Sequence, residues 1–151
     1  MKFVIQVCSK AKVEVGEELI GAIDKGATVF VGIGKEDTKE IADKMVKKLL
    51  GLRIYPDENG KTNISLKDFG GSLLIISQFT LYANCTHGNR PGFFEAGDPD
   101  KANELYEYII EKCKEGDFET AHGSFGAEMK VSIVNEGPFT LILDSDEIFK
   151  K

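Results

Sequence analysis

Leu73-Leu74-Ile75-Ile76-Ser77-Gln78-Phe79-Thr80-Leu81 and Asn135-Glu136-Gly137-Pro138-Phe139-Thr140 decide the reading of this chain. The first opens as a continuous apolar run, the pattern of a strand buried on both faces, and turns polar at Ser77, where such a strand emerges and its end can meet a ligand. The second sets Gly-Pro between the apolar stretches Val131–Ile133 and Thr140–Leu143. Gly-Pro between strands predicts a tight turn, with one ring of fixed φ and one residue without a side chain, so backbone groups are displayed there. Neither segment contains His, Lys or Cys. Both present hydrogen-bonding groups and almost no ionisable chemistry.

Working outward, the pattern predicts strands at Phe3–Ser9, Lys12–Val15, Glu18–Ile23 and Thr28–Ile33. A helix is expected from Asp37, where Asp37-x-x-Glu40 has the form of a capping box, with Ile41, Met45, Leu49 and Leu50 inward and Gly51 as its stop. Leu52–Tyr55 reads as a short strand before the turn Pro56–Gly60, and the buried strand is expected to end at Phe79. A polar loop then leads to a second helix with Asp98 as N-cap, Pro99 at its first position and Gly116 past its end. Its buried face reads Ala102, Leu105, Tyr106, Ile109, Ile110 and Cys113. Two strands, Glu128–Val134 and Phe139–Leu143, flank the Gly-Pro turn, and Asp144–Lys151 forms a short tail. With no linker, repeat or low-complexity tract, residues 1–151 read as one α+β domain, mainly antiparallel sheet with two helices.

Composition narrows the function. With 42% hydrophobic and 29% charged residues the chain can bury a core and is neither disordered nor fibrous. Met1-Lys2 runs directly into Phe3-Val4-Ile5, and no apolar stretch approaches ~18 residues, so neither a secretory signal nor a membrane span is predicted. Cys8, Cys85 and Cys113 are odd in number, far apart and without a C-x-x-C pair, which predicts reduced thiols in a cytoplasmic setting and no structural zinc. The net charge of −6 is uneven: nine basic against eight acidic residues in 1–50, four against six in 51–100, and six against eleven in 101–151. That gradient argues against a general nucleic-acid binder. Any RNA contact must be local and salt-sensitive, through Lys10, Lys12, Lys44, Lys47, Lys48 or Arg90, although the Lys44/Lys47/Lys48 group equally fits a solvated helix face.

The signatures of common hydrolases, nucleotide binders and zinc enzymes are missing: G-x-S-x-G, Walker A, H-E-x-x-H and paired C-x-x-C. His87 and His122 lie in Gly-rich polar segments and read as solvated loop histidines. Cys85 and His87, two apart on a loop, make a poor nucleophile pair, and neither Ser77 nor Thr80 has a base beside it in sequence. A strand-end Thr most often donates a hydrogen bond.

The two opening segments resemble the signature motifs of the D-aminoacyl-tRNA deacylases, Ser-Gln-Phe-Thr and Asn-x-Gly-Pro-x-Thr. The likeness extends through Ile5-Gln6, Gly51-Leu52-Arg53-Ile54, Gly70-Gly71-Ser72, Arg90-Pro91 with Phe93 and Phe94, and Phe125-Gly126-Ala127-Glu128-Met129, in order along the chain. The resemblance implies a barrel-like homodimer that hydrolyses the ester of D-aminoacyl-tRNA and glycyl-tRNA with no metal or cofactor. It assigns catalysis to Ser77, Gln78, Phe79 and Thr80. Backbone amides there, Phe79 N–H first, stabilise the oxyanion while the 2′-OH of the 3′-terminal adenosine assists a water. It assigns substrate contacts to Gly137, Pro138, Asn135, Thr140, Phe125, Met129 and Arg90, with Gly137-Pro138 reaching into the partner subunit's site to exclude an L side chain.

One departure stands out. The family usually has Arg directly after the first-strand Gln, where it helps hold Gly-Pro cis, and this chain has Val7. Together with Phe139 in place of the more usual Val, this is similar to an animal paralogue of relaxed chirality, although Ser77–Thr80 keeps the standard motif. Loss of the arginine predicts a trans or mixed Gly137-Pro138 bond and tolerance of small L residues. A non-catalytic nucleic-acid-binding role is the other alternative, and the acidic last third opposes it.

Overall fold

Period-two alternation along the first fourteen residues after Met1 puts Phe3 and Ile5 wholly inside, and the strand so formed is the axis on which the molecule is built. The computed structural model describes residues 1–149. Its strands and helices are β1 (Lys2–Val15), β2 (Glu18–Ile23), β3 (Gly26–Gly32), α1 (Lys39–Gly51), β4 (Tyr55–Pro56), β5 (Thr62–Ile64), α2 (Leu66–Phe69), β6 (Ser72–Ser77), α3 (Pro99–Lys114), β7 (Thr120–His122), β8 (Lys130–Asp144) and α4 (Ser145–Ile148). A single 3₁₀ turn, Phe79–Tyr82, follows β6.

One flank of β1 pairs antiparallel with β3 along its first half and with β2 along its second, and the other flank pairs antiparallel with β8 from end to end. β6 joins β3 in parallel and β7 joins β6 in parallel, giving the order β2-β1-β3-β6-β7 with β8 on β1. The antiparallel expectation therefore holds around β1. The parallel half follows from crossovers through α1 and α3, which cover one face of the sheet. The sheet curls until β2 meets β7: a Cβ on Gly21 would lie 2.8 Å from the His122 carbonyl oxygen, so glycine is what lets the two strands close. Inside this curl sit Cys8, Ala11, Val13, Ile23, Leu74 and Ile76, while the larger core lies between the sheet and α1 and α3.

Several expected boundaries move, each for a long-range reason. The strands expected at Phe3–Ser9 and Lys12–Val15 form one strand, because register shifts against β8 on either side of Cys8 absorb the polar interruption. The helix of residues 39–51 is capped by Thr38, whose hydroxyl accepts from the Ile41 N–H at 3.3 Å. Asp37 is not the cap. It is buried, taking the Met1 ammonium at 2.8 Å and the Gly34 N–H at 2.6 Å, and Ser145 also accepts from that ammonium at 2.7 Å. Ala42 and Val46 are buried on α1 with Met45 and Leu49, whereas Ile41 and Leu50 are half-buried. The strand expected at Leu52–Tyr55 reduces to Tyr55–Pro56. The tail from Asp144 contains the short helix α4, and residues 150 and 151 lie outside the described chain. On α3 the Asp98 cap, Pro99 and all six inward residues are as expected.

At Gly26, φ is +152° and a Cβ would lie 1.8 Å from the Ser72 carbonyl oxygen, so only glycine permits β3 and β6 to start side by side. Further along β6, the Ile75 carbonyl accepts from the buried Tyr106 hydroxyl at 2.8 Å and from the Gly123 N–H at 3.0 Å, tying α3 and the loop after β7 to this strand. Because Gly123 still satisfies that carbonyl in Tyr106→Phe, the variant is expected to lose only about 1 kcal/mol, read as a fall of roughly 2–4 °C in Tm. A loss of 4 kcal/mol or more would show that the hydroxyl holds more than this one contact.

Candidate active site

Three bland elements and one polar turn enclose a cavity of about 460 Å³. Val31 and Ile33 at the end of β3 and Ile76, Ser77, Gln78 and Phe79 at the end of β6 form one side. Gly97, Pro99 and Ala102 at the start of α3 form a second, and Phe125–Ala127, Met129 and Val131 a third. None of the lining side chains is ionisable.

The strand stops at Ser77, two residues before its expected end, because the chain leaves the sheet at Gln78, with φ −144° and ψ 82°. The Gln78 N–H still donates to the Val31 carbonyl at 2.8 Å, which fixes where the turn begins. Leu81 N–H then donates to the Gln78 carbonyl at 3.3 Å and Ala83 N–H to the Thr80 carbonyl at 3.0 Å. Phe79 and Thr80 occupy the first positions of the turn, where N–H groups have no carbonyl behind them, and among the described residues neither N–H has a protein acceptor. Two adjacent donors are left open beside an apolar cavity. The Gln78 amide bonds the Thr80 hydroxyl, so these two side chains hold each other. Phe79 is 57% exposed and stands edge-on to Phe93, with ring centroids 5.1 Å apart.

Neighbouring loops frame this mouth. Paired hydrogen bonds between Asn84 and Gly92 at 2.7 and 2.9 Å close a small hairpin. Arg90 lies on it, exposed and outside the cavity lining. Gly97 N–H donates to the Ile33 carbonyl at 2.9 Å and Lys35 N–H to the Glu95 carbonyl at 3.0 Å, anchoring the far end of that loop to β3. Opposite, Met129 is held as its sulfur accepts from the Ser124 N–H at 3.4 Å, and Phe125 rests on Tyr106 with centroids 5.9 Å apart. Beyond the turn, burial and the carboxylates of Asp37, Asp144 and Asp146 push ionisation of the Tyr82 hydroxyl upward, so it stays neutral.

The second motif lies elsewhere. β8 runs unbroken through it, and the two strands expected at Glu128–Val134 and Phe139–Leu143 are one. Between the pairs Cys8↔Asn135 and Gln6↔Thr140, β1 has the single residue Val7 where β8 has Glu136, Gly137, Pro138 and Phe139. The surplus bulges out with Gly137 and Pro138 exposed. The Asn135 side chain ties its neck. Nδ2 donates to the Val7 carbonyl at 3.2 Å and to the Phe139 carbonyl at 3.1 Å, and Oδ1 accepts from the Phe139 N–H at 3.1 Å. Thr140 accepts from the Gln6 amide at 3.3 Å. The Gly137-Pro138 bond is cis, not trans or mixed as expected from Val7. Asn135 grips the backbone of residue 7, so a side chain at that position is not needed to tie the bulge.

Ser77, Gln78, Phe79, Phe125 and Met129 are thus brought together, and Thr80 sits on the adjoining turn. Asn135, Gly137, Pro138 and Thr140 are not part of that group. Ser77 shares its level in the sheet with Val31 and Phe3, four residues from Val7, and three strand spacings separate β6 from β8. That is about 13 Å along the strands and about 14 Å across them.

Neither histidine enters the cavity. His87 is exposed on the hairpin. His122, expected in a solvated loop, ends β7 half-buried with Nδ1 2.8 Å from the Gly123 carbonyl, because β7 pairs with β6 there. Cys8 and Cys113 are buried thiols whose ionisation burial pushes up, for Cys113 to about 12, so both are inert, and Cys85 is exposed with no bonded partner sulfur. Among the described residues no group of three or more His, Cys, Asp or Glu is placed to hold a metal.

Comparison with known proteins bears on this arrangement. Residues 4–144 match the family model described as D-Tyr-tRNA(Tyr) deacylase. A D-aminoacyl-tRNA deacylase of Thermotoga petrophila is 48% identical over 149 residues, covering 99% of this chain and 100% of that protein. One of Clostridioides difficile is 46% identical over the same shares. Among solved structures, the c-Myc DNA Unwinding Element Binding Protein superposes with a TM-score of 0.88 at 39% identity, over 95% of this chain and 98% of that one. A probable eukaryotic D-amino acid tRNA deacylase superposes at 0.79 with 15% identity, over 94% and 97% of the two chains, a likeness of fold.

Proposed function

Since the chain belongs to the D-aminoacyl-tRNA deacylase family, we propose that it hydrolyses the ester linking a D-amino acid, or glycine, to the 3′-terminal adenosine of tRNA, by means of backbone donors. The observation that carries this reading is the pair of open N–H groups at Phe79 and Thr80 beside a cavity with no ionisable lining. A cavity without a base, acid or nucleophile suits a substrate that is already activated. An aminoacyl ester is one: the adjacent ribose 2′-OH can orient the attacking water, and as the C–O bond to the 3′-oxygen breaks the proton lost by the water passes to that departing oxygen. As the carbonyl carbon becomes tetrahedral, charge develops on its oxygen, and a preorganised N–H there is worth roughly 2.7–4 kcal/mol. Gln78 fixes the turn through its own N–H and steadies Thr80 through its amide.

Selectivity is assigned to Gly137-Pro138 of a second copy. Within one chain the bulge is too far along the sheet to meet Phe79, yet it is exposed, tied by Asn135 and displays its backbone. Entering a partner's cavity, its carbonyls accept from the substrate α-ammonium and fill the space an L side chain requires. Such a filter rejects by bulk, so glycine passes. Tolerance of L-alanine rested on a trans Gly-Pro bond and loses that premise.

The test is the half-life of D-tyrosyl-, L-tyrosyl- and glycyl-tRNA with catalytic enzyme in EDTA. The D and glycyl esters are expected to be cleaved at least about 100-fold faster with enzyme than without, and the L ester to keep its spontaneous rate. Equal cleavage of D- and L-tyrosyl-tRNA, or activity only on adding metal, would overturn the reading.

A further inference from the structure

A second concavity, of about 310 Å³, lies on the outer side of α1 and is lined by Lys44, Lys47, Lys48, Gly51, Leu52 and Phe149. The spacing i, i+3, i+4 puts the three lysines on one face of the helix. All three are exposed, and among the described residues none has a carboxylate within 4.0 Å; the same holds for Lys10, Lys25, Lys61, Lys101 and Lys130, and what distinguishes this trio is that it lines one concavity. Lys44 Nζ lies 5.7 Å from the centre of the Phe149 ring. In a chain of net charge −6, a concave strip of uncompensated ammonium groups floored by an aromatic ring is a local exception.

Its position gives it a use. α1 starts beside the cavity, since Gly34 adjoins the lining residue Ile33 and its N–H is bound by Asp37, next to the Thr38 cap. At 1.5 Å per residue, Lys44 and Lys48 stand about 9 and about 15 Å along the helix from that cap. We propose that this groove carries the phosphates of the tRNA acceptor strand roughly three to five nucleotides 5′ of the terminal adenosine, at ~3.4 Å per stacked nucleotide, with the Phe149 ring as an apolar floor for a base or ribose. The proposal rests on the deacylase reading and adds a contact for the part of the substrate outside the cavity.

The test compares the wild type with K44A/K47A/K48A and K44R/K47R/K48R on D-tyrosyl-tRNA, on 3′-O-D-tyrosyl-adenosine, and in binding of uncharged tRNA and a DNA duplex of similar length. The alanine variant is expected to lose about 10-fold in kcat/KM on the full tRNA and in tRNA affinity, with the adenosine ester unaffected and the arginine variant near wild type. The slope of log affinity against log salt should flatten by roughly 2, at ~0.7 per phosphate contact. Unchanged tRNA binding, an equal loss on the adenosine ester, or equal affinity for the duplex would overturn the groove assignment. A wild type that cleaves neither ester but loses tRNA affinity in the alanine variant would instead overturn the deacylase reading and leave the groove standing.

Discussion

Replacing Phe79 with proline is expected to lower kcat for D-tyrosyl-tRNA by about 10²- to 10³-fold, the cost of removing one oxyanion donor, while Phe79→Ala loses no more than about 10-fold. The pair separates backbone from side chain. Proline deletes the N–H and is tolerated at the first position of a helical turn, where that N–H has no intrahelical acceptor. Gln78, at φ −144° and ψ 82°, lies outside the helical region that a following proline disfavours. Alanine keeps the N–H and removes only the half-exposed ring that meets Phe93. KM should change little in the proline variant, because charge develops on the ester oxygen after binding. If Phe79→Ala lost as much as Phe79→Pro, the ring would be the catalytic element and the backbone-donor mechanism would fall.

That so much of the site can be assigned to backbone explains what the sequence disclosed and what it hid. α3 was legible in full because its information is local: Asp98 and Pro99 mark its start, and six apolar residues recur at the helical period. The first motif was legible as chemistry because polarity switches on abruptly after Ile76, although the exit is a 3₁₀ turn starting from Gln78, not a strand running to Phe79. Asp37 misled because a capping pattern is a local signal, and its true partner, the Met1 ammonium, is 36 residues away. β8 misled for the same reason. Gly-Pro between two apolar runs reads as a turn, and only the ladder to β1, which resumes on both sides of Val7, makes it a bulge. Ile33, Gly97 and Ala102 carry no chemical signal at all, and they were missed because lining an apolar cavity asks only for small or aliphatic side chains.

The same bulge supplies the sharpest test of a shared site. Asn135→Ala removes all three hydrogen bonds at the neck and leaves the Val7 and Phe139 carbonyls without that donor. A displaced filter of order 1 Å costs up to about 10²-fold, so kcat/KM on D-tyrosyl-tRNA should fall by roughly 10- to 100-fold with the fold retained. Asn135→Asp keeps the acceptor for the Phe139 N–H but cannot donate, and should lie between alanine and wild type. If Phe79 of one subunit works with Gly137-Pro138 of the other, then Phe79→Pro and Asn135→Ala damage opposite halves of each site. Mixed and allowed to exchange, half of the dimers are hybrids, and each hybrid has one site with both faults and one with neither. Two poorly active proteins should then recover about 25% of wild-type activity, the statistical share for a two-fold dimer. Hybrids verified by differential tags that show no recovery would place the bulge and Phe79 in separate functions, because no arrangement within one chain brings them together without dismantling the β6-β3-β1-β8 ladder that sets their positions.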